Sequence, residues 1–596
     1  MAGVDGLDSL PSFGSLTLIA EEDRLAYWWS DGGATTLRLY DHHADSTERV
    51  ELESDAFSPS GWEPIHWLGD RFLIQSRPGL FFVDLDGAVE EFHLEEDYTL
   101  VVDVDADARR IVYLYYPEGV GPTEEPWTLR LHDREKGETT VLTEQPEQFG
   151  HAGFSFDGHH VAYRENPTQT FGAGRIVVND VDGNRTRTLH VADELARTLV
   201  YDWHPDGRRL LVADRSTGWY RPGLYDIETD ATRWFGTGQD NEFPLTIMPD
   251  GDRLVTVRFR DGTSAARVYP IADPSAGRNL ELPRGLIARR VRQPVGKALS
   301  AGHVLLKHET STRPPRLLLY DLRTDEHVTI IDTHTDAVAA MDLVDAEHVA
   351  YESTDGLHVH AVLHRPPESP SPAIVKIHGG PTSAVRCGFD ADAQALVSHG
   401  YTVLQPNYRG STDQDRGFEA AIRGEEGDGA VDDMAAGARW LAGQEWIDED
   451  RLVAFGHSAG AYNAAMQSIR HPDVWRLVIP ENGYLDYVAA FRNPNPYALR
   501  RLIDDPDTET EEAYLRERSP VHRADDVDCP ICIIHGGRDR GLAMADRFVD
   551  GLEERGWTEG EEFRYEVLEH EGHVIQDRPG LWQLLVDVCD QYLTDD

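Results

Sequence analysis

The chain has 596 residues, with 106 acidic against 56 basic side chains and a formal net charge of −50. So acidic a surface repels phosphate backbones and excludes nucleic acid as a partner, while the absence of any run approaching the ~18–20 apolar residues of a membrane span speaks against a membrane partner. No basic-plus-apolar leader opens the chain, so a soluble, cytoplasmic protein is expected, and the length calls for two domains with ample cores.

After a short N-terminal extension, residues 1–12, seven segments end an apolar strand in a similar way. They are Leu37–Asp41, Phe81–Asp84, Leu129–Asp133, Ile176–Asp180, Gly223–Asp226, Arg267–Pro270 and Leu317–Asp321. Their spacing of about 43 to 51 residues fits one four-stranded blade per repeat. Four of them are preceded by a second repeated element, a turn feeding a strand: Asp107-Ala108-Arg109-Arg110, Asp157-Gly158-His159-His160, Asp206-Gly207-Arg208-Arg209 and Asp250-Gly251-Asp252-Arg253. The spacing predicts a seven-bladed β-propeller over residues 1–336, its last blade ending near Asp332. Alone, a propeller is a binding platform.

The second domain is expected over 337–596. Residues Val349 to Leu363 read as a hairpin around Asp355-Gly356, and the Pro366-Pro367, Pro370 and Pro372 stretch reads as a rigid turn into a central strand, Ala373–Ile377. That strand leads into His378-Gly379-Gly380-Pro381, where glycine would let backbone N–H groups approach a tetrahedral intermediate; a plain Gly-Pro turn is the alternative.

Further on, the apolar run Leu452–Phe455 feeds into Gly456-His457-Ser458-Ala459-Gly460, with a helix-compatible segment, Ala461 to Ile469, behind it. A strand, a sharp turn with serine at its apex and a helix expose a nucleophile, and the Ala459 N–H becomes an oxyanion donor beside Gly379 and Gly380. An acid and a histidine should follow on loops after later strands of the same sheet. Ile531–Ile534 ends in His535-Gly536-Gly537-Arg538-Asp539, and Phe563–Leu568 is followed by Glu569-His570-Glu571-Gly572-His573. Ser458 would then attack a carbonyl, His573 would shuttle its proton, with His570 as the fallback base, and Asp539 would fix the imidazole tautomer.

Together the His378–Pro381 loop, Asn407-Tyr408-Arg409-Gly410-Ser411-Thr412, Arg423-Gly424, the serine elbow, Asp539-Arg540 and Gly572-His573 resemble the prolyl oligopeptidase family of serine peptidases. The His-Gly-Gly-Pro loop is most similar to its acylaminoacyl-peptidase branch. The resemblance implies an α/β-hydrolase domain capped by a β-propeller, acting on short peptides that reach a site between the two. It also implies a side-chain pocket near Glu481 to Tyr497, with Tyr484, Tyr487 and Phe491 as lining candidates and Tyr497 beyond them; core packing is the other reading of these aromatics. Three departures bear on substrate. Ala459-Gly460-Ala461 stands where the family commonly has Tyr-Gly-Gly, a common tryptophan is missing near Glu426, and Gly541-Leu542 replaces the usual Val-Pro. A carboxylesterase on the same frame is therefore the alternative, and a binding protein with an inactive hydrolase half is a third. Acylaminoacyl, dipeptidyl and prolyl specificities stay open, as does assembly into a homo-oligomer.

Cys387, Cys529, Cys532 and Cys589 are too few and scattered for a disulfide framework. Cys529-Pro530-Ile531-Cys532 has redox spacing but enters a strand instead of opening a helix, so buried structural thiols are expected. Nothing has metal-ligand or phosphate-loop spacing, and no metal or cofactor is expected. Only Lys136, Lys297, Lys307 and Lys376 are lysines. Acid-rich, lysine-poor surfaces suit a halophile's cytoplasm, where a Debye length of ~3 Å at molar salt screens self-repulsion; arginine bias from a GC-rich genome accounts for part of the pattern.

Overall fold

The structure is a computed structural model that describes all residues except 1–5, 8–9, 20–22, 33, 53–63, 77–78, 95–97, 106, 117–126, 145–151, 167–173, 182–185, 190–197, 289–301, 492–507 and 595–596. Two compact units emerge, one of Ser9–Thr335 and one of Asp336–Asp596 with Met1–Asp8.

The first unit is a seven-bladed β-propeller. Its seven antiparallel sheets, residues 12–50, 65–92, 98–143, 152–189, 199–234, 242–279 and 286–332, each pair four strands in chain order. All seven repeated segments of the sequence fall on the third strand of a blade, from Thr35–Asp41 in the first to Arg313–Asp321 in the last. That strand lies inside its sheet and carries buried apolar residues in every blade; the four middle residues of Gly79–Asp84 are all buried. The terminal aspartate closes the turn to the fourth strand. Asp226 accepts from the N–H groups of Glu228 at 3.0 Å and Thr229 at 3.1 Å, and Asp41, Asp133 and Asp321 cap their own turns in the same way. The second repeated element joins the first and second strands, with Gly158, Gly207 and Gly251 at φ 68°, 68° and 73°, the left-handed conformation that glycine adopts at little cost. Phe13, Leu16 and Leu25 of the first blade pack with Leu305, Leu317 and Leu319 of the seventh, which closes the ring.

The second unit is an α/β-hydrolase fold. Eight strands, β1 Glu347–Glu352, β2 His358–His364, β3 Ser371–Ile377, β4 Thr402–Asn407, β5 Ile447–His457, β6 Leu477–Glu481, β7 Ile531–Gly536 and β8 Phe563–Leu568, form one sheet in the order β1-β2-β4-β3-β5-β6-β7-β8. The β1–β2 and β2–β4 pairs are antiparallel and the rest parallel. Helix α1, Ala391–Ser398, and α5, Arg578–Leu593, cover one face, while α2, Gly429–Ala442, α3, Ala459–Arg470, and α4, Leu542–Glu554, cover the other. With both faces covered the central strands are largely apolar, as in Ile531–Ile534, and the polar exceptions are buried with partners, as Lys376 is with Asp390. The carboxyl ends of β3, β5, β6, β7 and β8 therefore converge on one edge, where ligands of open parallel sheets bind. Among the described residues no helix is long and apolar enough to cross a membrane.

Candidate active site

Ser458 sits between β5 and α3 with φ 58° and ψ −118°, a conformation that side chains rarely adopt. The turn is held by its surroundings. A Cβ on Gly456 would lie 2.2 Å from the Gly460 carbonyl oxygen, and one on Gly460 would lie 2.1 Å from that of Ile377, so both flanking glycines are required by contact with backbone. The Ser458 N–H donates to the Glu481 carbonyl at 3.0 Å, which ties the apex to β6.

The three sequence candidates meet here although they lie up to 115 residues apart in the chain. His573 Nδ1 is 2.7 Å from Asp539 Oδ2 and must donate to it, leaving Nε2 to accept from the Ser458 hydroxyl at 3.0 Å. Burial alone would push the Asp539 carboxyl up, but hydrogen bonds from His535, His573 and the Gly541 N–H outweigh it and hold the group well below the usual carboxylate range. An ionised, acceptor-only Asp539 fixes the tautomer that a proton-accepting Nε2 requires. His570, the fallback base, is instead an exposed turn residue.

Ala459 opens α3, where the first N–H groups of a helix have no intrahelical acceptor. Facing it is the loop after β3, so close that a Cβ on Gly379 would lie 3.0 Å from that of Ser458, and Gly380 turns away at φ 81°. The His378 imidazole braces this loop. Its Nδ1 can only donate to the Gly379 carbonyl at 3.1 Å, so Nε2 accepts from the Ser411 hydroxyl at 3.0 Å. Burial lowers the His378 pKa to about 4, keeping the ring neutral, and Tyr408 stacks on it while its hydroxyl donates to the His378 carbonyl at 3.0 Å.

Two further residues shape the site without having stood out in the sequence. Asn482, at φ 54°, accepts from the Gly536 N–H at 2.7 Å and donates to the His573 carbonyl at 3.0 Å, stapling the histidine loop to β7. His535 donates to the second oxygen of Asp539 at 3.0 Å. Only its distant partners give Asn482 a role. Of the pocket candidates, Tyr484 comes to the site, its ring 5.7 Å from that of His573. Tyr487 belongs to the core instead, because its ring stacks on Tyr462 at 4.2 Å and its hydroxyl donates at 3.0 Å to the buried Glu426, whose pKa burial raises to about 7. The Phe491 side chain and Tyr497 lie outside the described residues. All four cysteines are buried free thiols, and burial pushes Cys529 and Cys532 up to about 12, far from thiolate reactivity. No group of metal-ligating side chains occurs among the described residues.

Fold and site together define an α/β-hydrolase that carries a β-propeller and a Ser–His–Asp relay at a nucleophile elbow. Residues 387–583 match the prolyl oligopeptidase family model. Among curated proteins, the chain is 24% identical over 512 residues to the acylamino-acid-releasing enzyme of Mus musculus, covering 83% of this chain and 58% of that protein. It is 29% identical over 185 residues to dipeptidyl aminopeptidase BIII of Pseudoxanthomonas mexicana, covering 30% of this chain and 27% of that one. The matches thus span less than two thirds of these relatives. In fold, the chain resembles the puromycin-hydrolyzing peptidase of Mycobacterium tuberculosis, with TM-score 0.82 at 19% identity over 99% of this chain and 95% of that one. It also resembles the acylaminoacyl peptidase of Pyrococcus horikoshii, with TM-score 0.74 at 16% identity over 99% and 97% of the two chains.

Proposed function

We propose that this protein is a serine peptidase that hydrolyses short peptides through an acyl-enzyme on Ser458. The observation that carries the reading is the continuous relay from Ser458 Oγ to His573 at 3.0 Å and on to Asp539 at 2.7 Å, set on a strained elbow. His573 takes the serine proton as Oγ attacks the scissile carbonyl, and returns it to the departing amine; water then repeats the cycle on the acyl-enzyme. The oxyanion is held by the N–H groups of Ala459 and of the Gly379-Gly380 loop, each donor contributing about 10²–10³ in rate. Asp539 stabilises the imidazolium, and Tyr484 borders the site beside His573.

An acylaminoacyl or oligopeptidase specificity is favoured, since the similarity to acylamino-acid-releasing enzyme runs over 83% of this chain whereas that to dipeptidyl aminopeptidase BIII covers 30%. The net charge of −50 with four lysines favours a cytoplasm of high salt as its setting. The test is digestion of a library of short peptides, free and N-acetylated, in ~3 M KCl, read by mass spectrometry. Cleavage by the wild type that is lost in Ser458→Ala is expected, and the positions cut assign the branch. Hydrolysis of small acyl esters with every peptide left intact would replace the peptidase by a carboxylesterase.

A further inference from the structure

Strands β5 and β6 end side by side, and their last residues, His457 and Glu481, are paired across the sheet. Paired neighbours project to the same face of a sheet, and here the side chains meet. His457 Nδ1 lies 3.1 Å from Glu481 Oε1, and since a carboxylate only accepts, Nδ1 carries the hydrogen and donates it. Glu481 thus grips the nucleophile turn twice, through its carboxylate to His457 and through its backbone carbonyl to the Ser458 N–H at 3.0 Å. Its side chain is only 2% exposed. A carboxylate buried at the end of a central strand is costly unless its charge is met, and besides His457 it lies in the positive field of Arg578, at the start of α5.

The His457 ring in turn lies 5.1 Å from the ring of His573, and the Tyr484 ring lies 5.7 Å from it. The His573 side chain is 38% exposed, and its imidazole makes one hydrogen bond through each nitrogen, to Asp539 and to Ser458. The second bond is lost in the acyl-enzyme, because Ser458 Oγ is then esterified and has no hydrogen to donate. Hydrolysis at that stage needs the ring exactly where it was: as the water oxygen bonds to the acyl carbon, His573 Nε2 takes the water proton, the bond to Oγ breaks and the proton passes to Oγ. Held by Asp539 alone the ring can pivot about one hydrogen bond, and a displacement of about 1 Å can cost about 10² in rate. Contact with His457 and Tyr484 restrains the pivot, and the His457 side restrains it only while His457 is itself fixed. The bond to Glu481 does that.

We propose that His457 is a positioning residue, fixed by Glu481, that keeps His573 in line to activate water on the acyl-enzyme. The inference rests on the acyl-enzyme reading above. It is tested on the full-length protein in ~3 M KCl with p-nitrophenyl acetate. Quenched intact mass follows the growth of the acetyl adduct that Ser458→Ala lacks and, once the ester is removed, the decay of that adduct. In His457→Ala the decay is expected to slow about tenfold while growth changes by less than about threefold, so that where decay limits turnover kcat and KM fall together and kcat/KM is nearly kept. Glu481→Leu should slow the decay by a similar factor, and the double variant no further than either single one, because both act along one path. Glu481→Gln, whose amide oxygen still accepts from Nδ1, should recover most of that loss. Should Glu481→Leu fail to fold, His457→Ala and Glu481→Gln still decide. Decay at the wild-type rate in His457→Ala, or growth and decay slowed alike as a general loosening of the elbow would slow them, would overturn the positioning role while leaving the acyl-enzyme intact. A wild type that forms no adduct on Ser458 would overturn the acyl-enzyme reading and the positioning role with it.

Discussion

The propeller and the hydrolase use the same ion pairs to opposite ends. In the propeller, aspartates that end third strands also meet basic residues of the turn between the first two strands: Arg208 with Asp226 at 2.5 Å and Arg109 with Asp133 at 3.0 Å, both open to solvent on the arginine side. In the hydrolase, Asp433 is fully buried and accepts from Arg409 through Nε at 2.9 Å, Nη2 at 2.7 Å and the backbone N–H at 2.9 Å, and from Ser353 at 2.6 Å. Repetition spreads stability over many cheap pairs, so no single one matters much. A site without repeats concentrates it in a few buried groups whose loss is costly.

The contrast can be broken experimentally at several depths. Asp539→Asn removes the acceptor that fixes the His573 tautomer, and should lower kcat by about 10⁴ with the melting temperature little changed. Steady-state kinetics beside a thermal melt would separate chemistry from folding. Next, Asp433→Ala leaves the Arg409 guanidinium buried without its main partner and should cost about 3–5 kcal/mol of stability, measured by urea denaturation at constant salt. A smaller, pH-dependent effect is expected at Glu426. Its folded pKa is raised to about 7 by burial from the ordinary 4.5, so its full stability is present below the unfolded value and is lost as pH rises towards 7. Glu426→Gln, which still accepts from Tyr487, should therefore melt above the wild type at pH 8, with the difference vanishing near pH 4.5. A constant difference across that range would show that Glu426 does not ionise on unfolding. The smallest effect belongs to the propeller, where Arg208→Gln should move the melting temperature by no more than about 2 °C. A shift as large as that of Asp433→Ala would erase the contrast.

Legibility in the sequence followed the same divide. The blades could be counted because each third strand carries an apolar run at a regular spacing, and six of the seven end in an aspartate, the sixth ending in Pro270 instead. First strands such as Ile65–Trp67 and Leu286–Ile287 are too short to show any periodicity. That Ser458, Asp539 and His573 would meet was legible because elbow sterics demand glycine around Ser458, and because parallel strands deliver Asp539 and His573 in chain order. Asn482 was not. Its role arises from partners far away in the chain, the Gly536 N–H and the His573 carbonyl, and nothing within a few residues of it records those contacts. Tyr487 illustrates the converse, since an aromatic near a site reads alike whether it lines a pocket or fills a core, and the buried Glu426 that engages its hydroxyl lies 61 residues earlier.

The most direct test of the relay is covalent labelling with a fluorophosphonate, followed by intact mass and peptide mapping in ~3 M KCl. One adduct on the peptide carrying Ser458, absent from Ser458→Ala and formed far more slowly by Asp539→Asn, is the predicted result. A wild-type protein that stays unlabelled while folded, or an adduct on any other serine, would contradict the assignment of Ser458, His573 and Asp539 as one catalytic unit.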